Sequence, residues 1–182
     1  MDYSLPPYAP NLKQALFHAS PAKFKLFLGG VGSGKTYSGV REMVMGALEN
    51  GPDQRYIIGA PSNRILEAAT WDAYMEFLGH CAKVNGLNLH TKTLQSNQNR
   101  CIVLNGNIRF EFVTLKYAHN FAGPTIAGFH IDEGALLRDG MAAWGVMVER
   151  LRSVTAQRLF GIVTTTPRGP IGVVQHFVDQ CD

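Results

Sequence analysis

Eight residues constrain this chain more than any others. Gly29-Gly30-Val31-Gly32-Ser33-Gly34-Lys35-Thr36 fit G-x-x-x-x-G-K-[ST] at every position. The apolar run Phe24-Lys25-Leu26-Phe27-Leu28 precedes them and a segment of helical periodicity follows. The order is therefore strand, loop, helix, the context that gives the motif a mechanism. Glycines let the backbone curl so that successive N–H groups point inward, where a polyphosphate accepts from them. The helix N-terminus adds partial positive charge along the same line. Gly29, Gly30, Val31, Gly32, Ser33, Gly34, Lys35 and Thr36 are then the nucleotide-binding residues. Lys35 would reach the β- and γ-phosphates, and the Thr36 hydroxyl would ligate Mg²⁺. The alternative is an ordinary glycine-rich turn before a helix, against which the complete motif and its flanks both argue.

A chain of 182 residues is one domain of ordinary size, able to bury a core. Its 46% hydrophobic and 17% charged content is that of a globular protein. A net charge of +3 permits a nucleic-acid partner without arguing for one, since a dedicated binder clusters its basic residues. Cys81, Cys101 and Cys181 are an odd set without metal-ligand spacing, and read as thiols in a reducing compartment. No apolar run spans a bilayer, and Met1-Asp2-Tyr3-Ser4 lacks the start of a signal peptide. The expected location is the cytoplasm.

Residues 1–23 carry Pro6, Pro7, Pro10 and Pro21 and are expected to enter as an extended arm, with a short helix over Asn11 to His18. Gln14 in that helix offers a donor and an acceptor side by side, complementary to the edge of adenine; a solvated glutamine is the equal alternative. After the loop, Val40, Met43, Val44, Ala47 and Leu48 form one apolar stripe that Gly51-Pro52 ends. Arg55 to Ala60 reads as a strand. Pro61-Ser62 then starts a helix with Leu66, Ala69, Ala73 and Phe77 inward and Gly79 near its end. This β-α-β-α order implies a parallel sheet covered by helices. Residues 83–100 are polar and read as a surface connection or short edge strands. Cys101 to Leu104 and Ile108 to Val113 flank Asn105-Gly106, a hairpin signal. Lys116 to Pro124 reads as a loop.

The apolar run Thr125 to Ile131 ends in Asp132-Glu133. Beside a phosphate loop, Asp132 would hold the Mg²⁺ water shell and Glu133 would orient and deprotonate an attacking water. His130 interrupts the run and reads as a hydrogen-bonded structural histidine. Met141, Trp144, Val148 and Leu151 line the next helix. Arg158 to Val163 is a core strand running into Thr164-Thr165-Thr166-Pro167-Arg168. Hydroxyls at the carboxyl end of a parallel strand can bond a γ-phosphate or a water and relay its loss, although threonine is also simply a good strand former. A last helix carries Val173, Val174, Phe177 and Val178.

Taken together, these segments resemble the N-terminal ATPase domain of a bacteriophage large terminase, the motor that pumps double-stranded DNA into a procapsid. The resemblance runs through Gln14 with Phe17-His18, the loop Gly29 to Thr36, and the hairpin around Asn105-Gly106. It continues through Thr125-Ile126-Ala127-Gly128, Ile131-Asp132-Glu133-Gly134-Ala135 and Glu149-Arg150-Leu151-Arg152, and closes with Thr165-Thr166-Pro167-Arg168-Gly169-Pro170. It implies an α/β fold, a P-loop NTPase of the ASCE/RecA-like type, with a mostly parallel sheet flanked by helices and an added β-hairpin. Residues 24–182 would be the ATPase core and residues 1–23 an arm with the adenine-side segment.

The resemblance also implies ATP and Mg²⁺ as ligands, Lys35 and Glu133 as catalytic residues, and Thr36 and Asp132 as metal residues. Gln14 would read adenine, and Thr164, Thr165 and Thr166 would couple hydrolysis to movement. Implied partners are double-stranded DNA, a portal protein and a small terminase subunit, with a homo-oligomeric ring when assembled, a monomer when isolated, and the host cytoplasm as location. Many relatives place a basic residue where this chain has Val31, or an arginine where it has Ala122. The charge-neutralising arginine is therefore open among Arg138, Arg150, Arg152 and Arg168. The family's C-terminal nuclease domain lies beyond these residues, and no nuclease activity is expected of them. Lys83, Lys92, Arg100, Lys116 and Arg138 are candidate DNA phosphate contacts, with a solvated face as the default. Two other functions fit a P-loop: an ATP-gated assembly module with little turnover, and a small-molecule kinase, for which no lid segment is evident.

Overall fold

In the computed structural model, which describes residues 5, 7–85, 89–95, 100–116, 123–169 and 172–180, seven strands form one sheet. They are β1 (Phe24–Leu28), β2 (Arg55–Ala60), β3 (His90–Gln95), β4 (Arg100–Leu104), β5 (Ile108–Thr114), β6 (Gly128–Asp132) and β7 (Phe160–Thr165). The order across the sheet is β1-β7-β6-β2-β5-β4-β3. The five strands from β1 to β5 in that order run parallel, and β5-β4-β3 is antiparallel, so the hairpin extends one end of the sheet. Parallel neighbours need crossovers, and the central strands, covered on both faces, are apolar except where β6 and β7 carry His130, Asp132, Thr164 and Thr165. All five residues of β6 and all six of β7 are buried.

Alternation decides what each face carries. One face packs α1 (Leu12–Ala19), α2 (Lys35–Asn50) and α4 (Asp72–Asn85) through Phe17, Val40, Met43, Tyr74 and Phe77 onto Tyr56, Ile58, Phe160 and Ile162. The other packs α5 (Gly140–Arg150) and α6 (Gly172–Asp179) through Ala143, Trp144, Met147 and Val173 onto Ile57, Phe129, Ile131 and Val163. His130 and Asp132 share the parity of the first face, as does Thr164. Thr165 takes the parity of the second.

The expected arm is docked rather than extended along its helical part. Asn11 caps α1 in a reciprocal box with Gln14. Phe17 is buried with its ring edge-on to Phe27 at 5.2 Å. Beneath it Glu42 of α2 holds Lys25 of β1 at 2.6 Å and His18 of α1 at 2.8 Å, tying three elements together.

Of the expected stripe, Val40, Met43, Val44 and Ala47 are fully buried and Leu48 is half-buried, and Gly51 ends α2 with φ at 82°. The helix after β2 is different. Between α3 (Asn63–Ile65) and α4 lies a π-helical segment, Leu66–Trp71, whose wider turn rotates the faces. Leu66, Thr70, Tyr74, Phe77, Leu78 and Cys81 face in, Ala69 is exposed, and Gly79 is mid-helix because the element continues to Asn85. On α5 the inward residues are Gly140, Ala143, Trp144 and Met147. Met141 is exposed because Gly140, pressed against the Val173 backbone, takes the contact with α6.

Two strands start later than their apolar runs suggest. Ile126 exchanges backbone bonds with Arg150 and Arg152 instead of joining the ladder, so β6 begins at Gly128. Asn50 takes both backbone groups of Arg158, so β7 begins at Phe160 and includes Thr164 and Thr165. The Asn105-Gly106 hairpin closes through a three-residue turn, with Gly106 and Asn107 both at positive φ. Asn97 to Asn99, Ala122, Pro170 and Cys181 lie outside the described residues, as does most of the loop from Lys116 to Pro124. Among the described residues no helix is long and apolar enough to cross a membrane.

Candidate functional site

Strand register brings the chemistry to one level of the sheet. Leu28 of β1, just before the loop, pairs with Thr165, and Thr164 pairs with Asp132. Gly29 N–H then donates to the Thr165 carbonyl at 3.1 Å, anchoring the loop's first residue on β7. The strand bearing the threonines therefore lies between the strand under the loop and the strand under the acids.

Gly32 and Gly34 adopt φ values of 74° and 76°, which give the loop its curl. No side chain caps the N-terminus of α2. Ser33 Oγ is buried with no hydrogen-bond partner among the described residues. A helix N-terminus without a side-chain cap and an orphaned hydroxyl beside it make a cradle suited to an anion. Val31 stands at its crest, 94% exposed.

Lys35 is buried and its ammonium meets Glu133 Oε1 at 3.0 Å. The Thr36 hydroxyl lies 3.4 Å from Asp132 Oδ1. Glu133 itself sits at φ 52°, in the left-handed region, a conformation that costs a non-glycine residue about 1 kcal/mol or more. Asp132 is fully buried, and its charge is met by donors from four directions. Thr164 Oγ donates to Oδ1 at 2.6 Å, the Glu133 N–H to Oδ1 at 3.1 Å, and Thr70 Oγ to Oδ2 at 2.8 Å, in addition to Thr36.

The three threonines divide the work. Thr164 binds Asp132; Thr165 Oγ accepts the Ala135 N–H at 3.0 Å, steadying the turn after the acids; Thr166 reaches Glu133 through its N–H at 3.3 Å and its hydroxyl at 3.4 Å. His130 is the structural histidine expected, bonded to Tyr74 and Thr164 in full burial. Burial, opposed in part by the nearby Asp132 charge, pulls its pKa down from 6.5 to about 4, so the ring is neutral.

Thr36 and Asp132 offer hard oxygen donors, and among the described residues no group of three or more His, Cys, Asp or Glu side chains could hold a metal alone. That suits Mg²⁺, which keeps waters and takes phosphate oxygens beside one or two protein ligands. Gln14 lies against the loop: its amide nitrogen is 3.5 Å from the Ser33 carbonyl, and its oxygen accepts the Asn11 N–H at 2.9 Å. The oxygen keeps a second lone pair and the amide a second proton for a further partner.

The four arginines separate by sheet edge. Arg138 and Arg168 follow the carboxyl ends of β6 and β7, on the side of the loop, and both are exposed. Arg150 and Arg152 lie where α5 has crossed back, bridged to Ile126 at the amino end of β6. Of the candidate DNA contacts, Arg100 is paired with Glu67 at 2.9 Å over the Trp71 ring. Thr70 and Tyr74 were not among the residues singled out from sequence. The signal that marks them is a threonine four residues before a tyrosine on the inner face of one helix.

A family model described as terminase large subunit, T4likevirus-type, N-terminal, matches residues 26–182. No curated protein matches the chain. Among solved structures, the fold is similar to the large terminase of a thermophilic bacteriophage, with a TM-score of 0.69 and 17% identity over 95% of this chain and 43% of that one. The same thermophilic-phage terminase in complex with ATP-gamma-S matches with a TM-score of 0.68 and 18% identity, over 94% of this chain and 42% of that one. The ATPase domain of the Thermus phage P74-26 large terminase matches with a TM-score of 0.69 and 19% identity, over 93% of this chain and 69% of that one. The chain thus spans less than half the length of the first of these proteins.

Proposed function

The chain belongs to the terminase large-subunit family of the T4likevirus type, and from that premise we propose that it is a Mg²⁺-dependent ATPase motor domain that drives double-stranded DNA into a viral procapsid. The observation that carries this reading is that the loop's last two residues each meet one of two adjacent acids, Lys35 with Glu133 and Thr36 with Asp132. The thermophilic-phage large terminase was crystallised with ATP-gamma-S and with ADP, which supports a nucleotide as ligand.

In the proposed cycle the β- and γ-phosphates of ATP draw the Lys35 ammonium away from Glu133. The freed carboxylate accepts a proton from water as the water oxygen bonds to the γ-phosphorus. The bond from that phosphorus to the β–γ bridging oxygen breaks, and ADP leaves with the electron pair. Thr36 and Asp132 would hold Mg²⁺, whose contribution is to neutralise charge on the phosphates. Thr166, bonded to Glu133, would register phosphate loss, with Thr164 and Thr165 carrying the change to Asp132 and to the turn after the acids. Gln14 would tie the arm, residues 1–23, to the core, residues 24–182, beside the adenine end of the ligand. DNA, a portal protein, a small terminase subunit and a ring of copies are the partners this reading implies, in the host cytoplasm.

Phosphate release by the purified protein tests it. We expect Mg²⁺-dependent release of free phosphate, abolished in Glu133→Ala with ATP binding kept, and ATP affinity lost when Lys35→Ala and Thr36→Ala are combined. Unimpaired hydrolysis by Glu133→Ala would refute its role as base. A phosphorylated acceptor in place of free phosphate would mean a kinase, and tight binding without turnover, at any protein concentration and with DNA present, an assembly module.

A further inference from the structure

We propose that Tyr74, His130 and Thr164 form a one-way hydrogen-bond chain that, with Thr70, fixes the orientation of the Asp132 carboxylate, which makes them positioning residues for magnesium-nucleotide binding. The inference rests on the hydrolase reading above and extends it to residues remote from the substrate. All five side chains are fully buried.

The direction of the chain follows from proton inventory. An ionised Asp132 only accepts, so the Thr164 hydroxyl, 2.6 Å from Oδ1, spends its single proton there. The same oxygen lies 2.8 Å from His130 Nε2 and must therefore accept, which places the imidazole proton on Nε2. Nδ1 is then bare and accepts a hydrogen bond from the Tyr74 phenol across 3.0 Å. Every donor points toward Asp132. Thr70, one turn before Tyr74 on the same helix, closes the other carboxylate oxygen at 2.8 Å from within the π-helical segment. Such segments are over-represented at functional sites.

An apolar core would pack here without these groups, and a partly satisfied buried network is worse than none. Three separate elements, α4 with its π segment, β6 and β7, instead converge on one carboxylate. Neither Tyr74 nor His130 lies on the loop, so both act through Asp132. The wall of α2 is fitted to them: a Cβ at Gly39 would fall 2.7 Å from His130 Nε2 and from Thr164 Cγ2.

The test titrates Mg²⁺ into the protein with a fluorescent ATP analogue and reads binding, with phosphate release followed in parallel. Thr164→Val should raise the Mg²⁺ concentration for half-maximal binding by about 10- to 100-fold, the range seen when an outer-shell partner of a metal ligand is lost. Thr164→Ser, which keeps the hydroxyl, should restore it, and metal-free binding of the analogue should not move. Tyr74→Phe should shift the Mg²⁺ dependence in the same direction by less, and serves if Thr164→Val does not fold. Wild-type Mg²⁺ dependence in both folded variants overturns the proposal while leaving the hydrolase reading intact. Absence of any Mg²⁺-dependent binding in the wild type overturns both.

Discussion

Gly39 has no motif to recommend it, yet its missing side chain decides how closely α2 approaches His130 and Thr164. Gly39→Ala is expected to cost about 1–3 kcal/mol by overpacking, seen as a lower melting temperature, because the neighbours are a ring and a β-branched residue with no room to yield. That the loop, both acids and the threonines meet at one end of the sheet was legible from residue types alone, since the phosphate, metal and water chemistry proposed for them would restrict what can stand there. His130 was legible as hydrogen-bonded because a polar ring in an apolar strand needs partners. Thr70 and Tyr74 were not, because a buried threonine or tyrosine on a helix is ordinary until the partner across the core is known. Gln14 was legible as a neighbour of the loop but not as its own helix's cap, for which Asn11 three residues earlier is the sign.

At the scale of elements, the clamp of Glu42 on Lys25 and His18 holds α1, β1 and α2 as one unit. Burial pushes the Glu42 carboxyl up, but hydrogen bonds from His18 and Lys25 together outweigh it and hold the group below its ordinary 4.5. A folded-state value below the unfolded one contributes stability in full above the unfolded value, and that stability disappears as pH falls through the folded value. Melting temperature should therefore drop below about pH 4.5, and drop less steeply in Glu42→Gln. At neutral pH the same substitution should cost about 3–5 kcal/mol in urea unfolding, since it leaves Lys25 buried without its counter-charge. The π segment is the clearest case of an element hidden from sequence. A 3.6-residue period placed Ala69 inward, and one wider turn moved that inward position to Thr70.

For the whole molecule, the sheet order is what periodicity could not supply, because neighbours such as β1 and β7 are more than a hundred residues apart. With the order known, Arg150 and Arg152 stand at the opposite edge from the loop and could serve only a neighbouring copy's nucleotide, whereas Arg138 and Arg168 share the loop's edge. If a second copy supplies the arginine, phosphate release per mole of protein should climb with protein concentration, and a flat profile would assign the role within one chain. The position of β7, flanked by β1 on one side and β6 on the other, has a further consequence. Its amides are shielded along both edges and covered by helices on both faces, so they should be among the slowest in the protein to exchange with deuterium. A segment so protected cannot report a lost phosphate by fraying; it can only shift as a stiff rod, dragging the strands bonded to it.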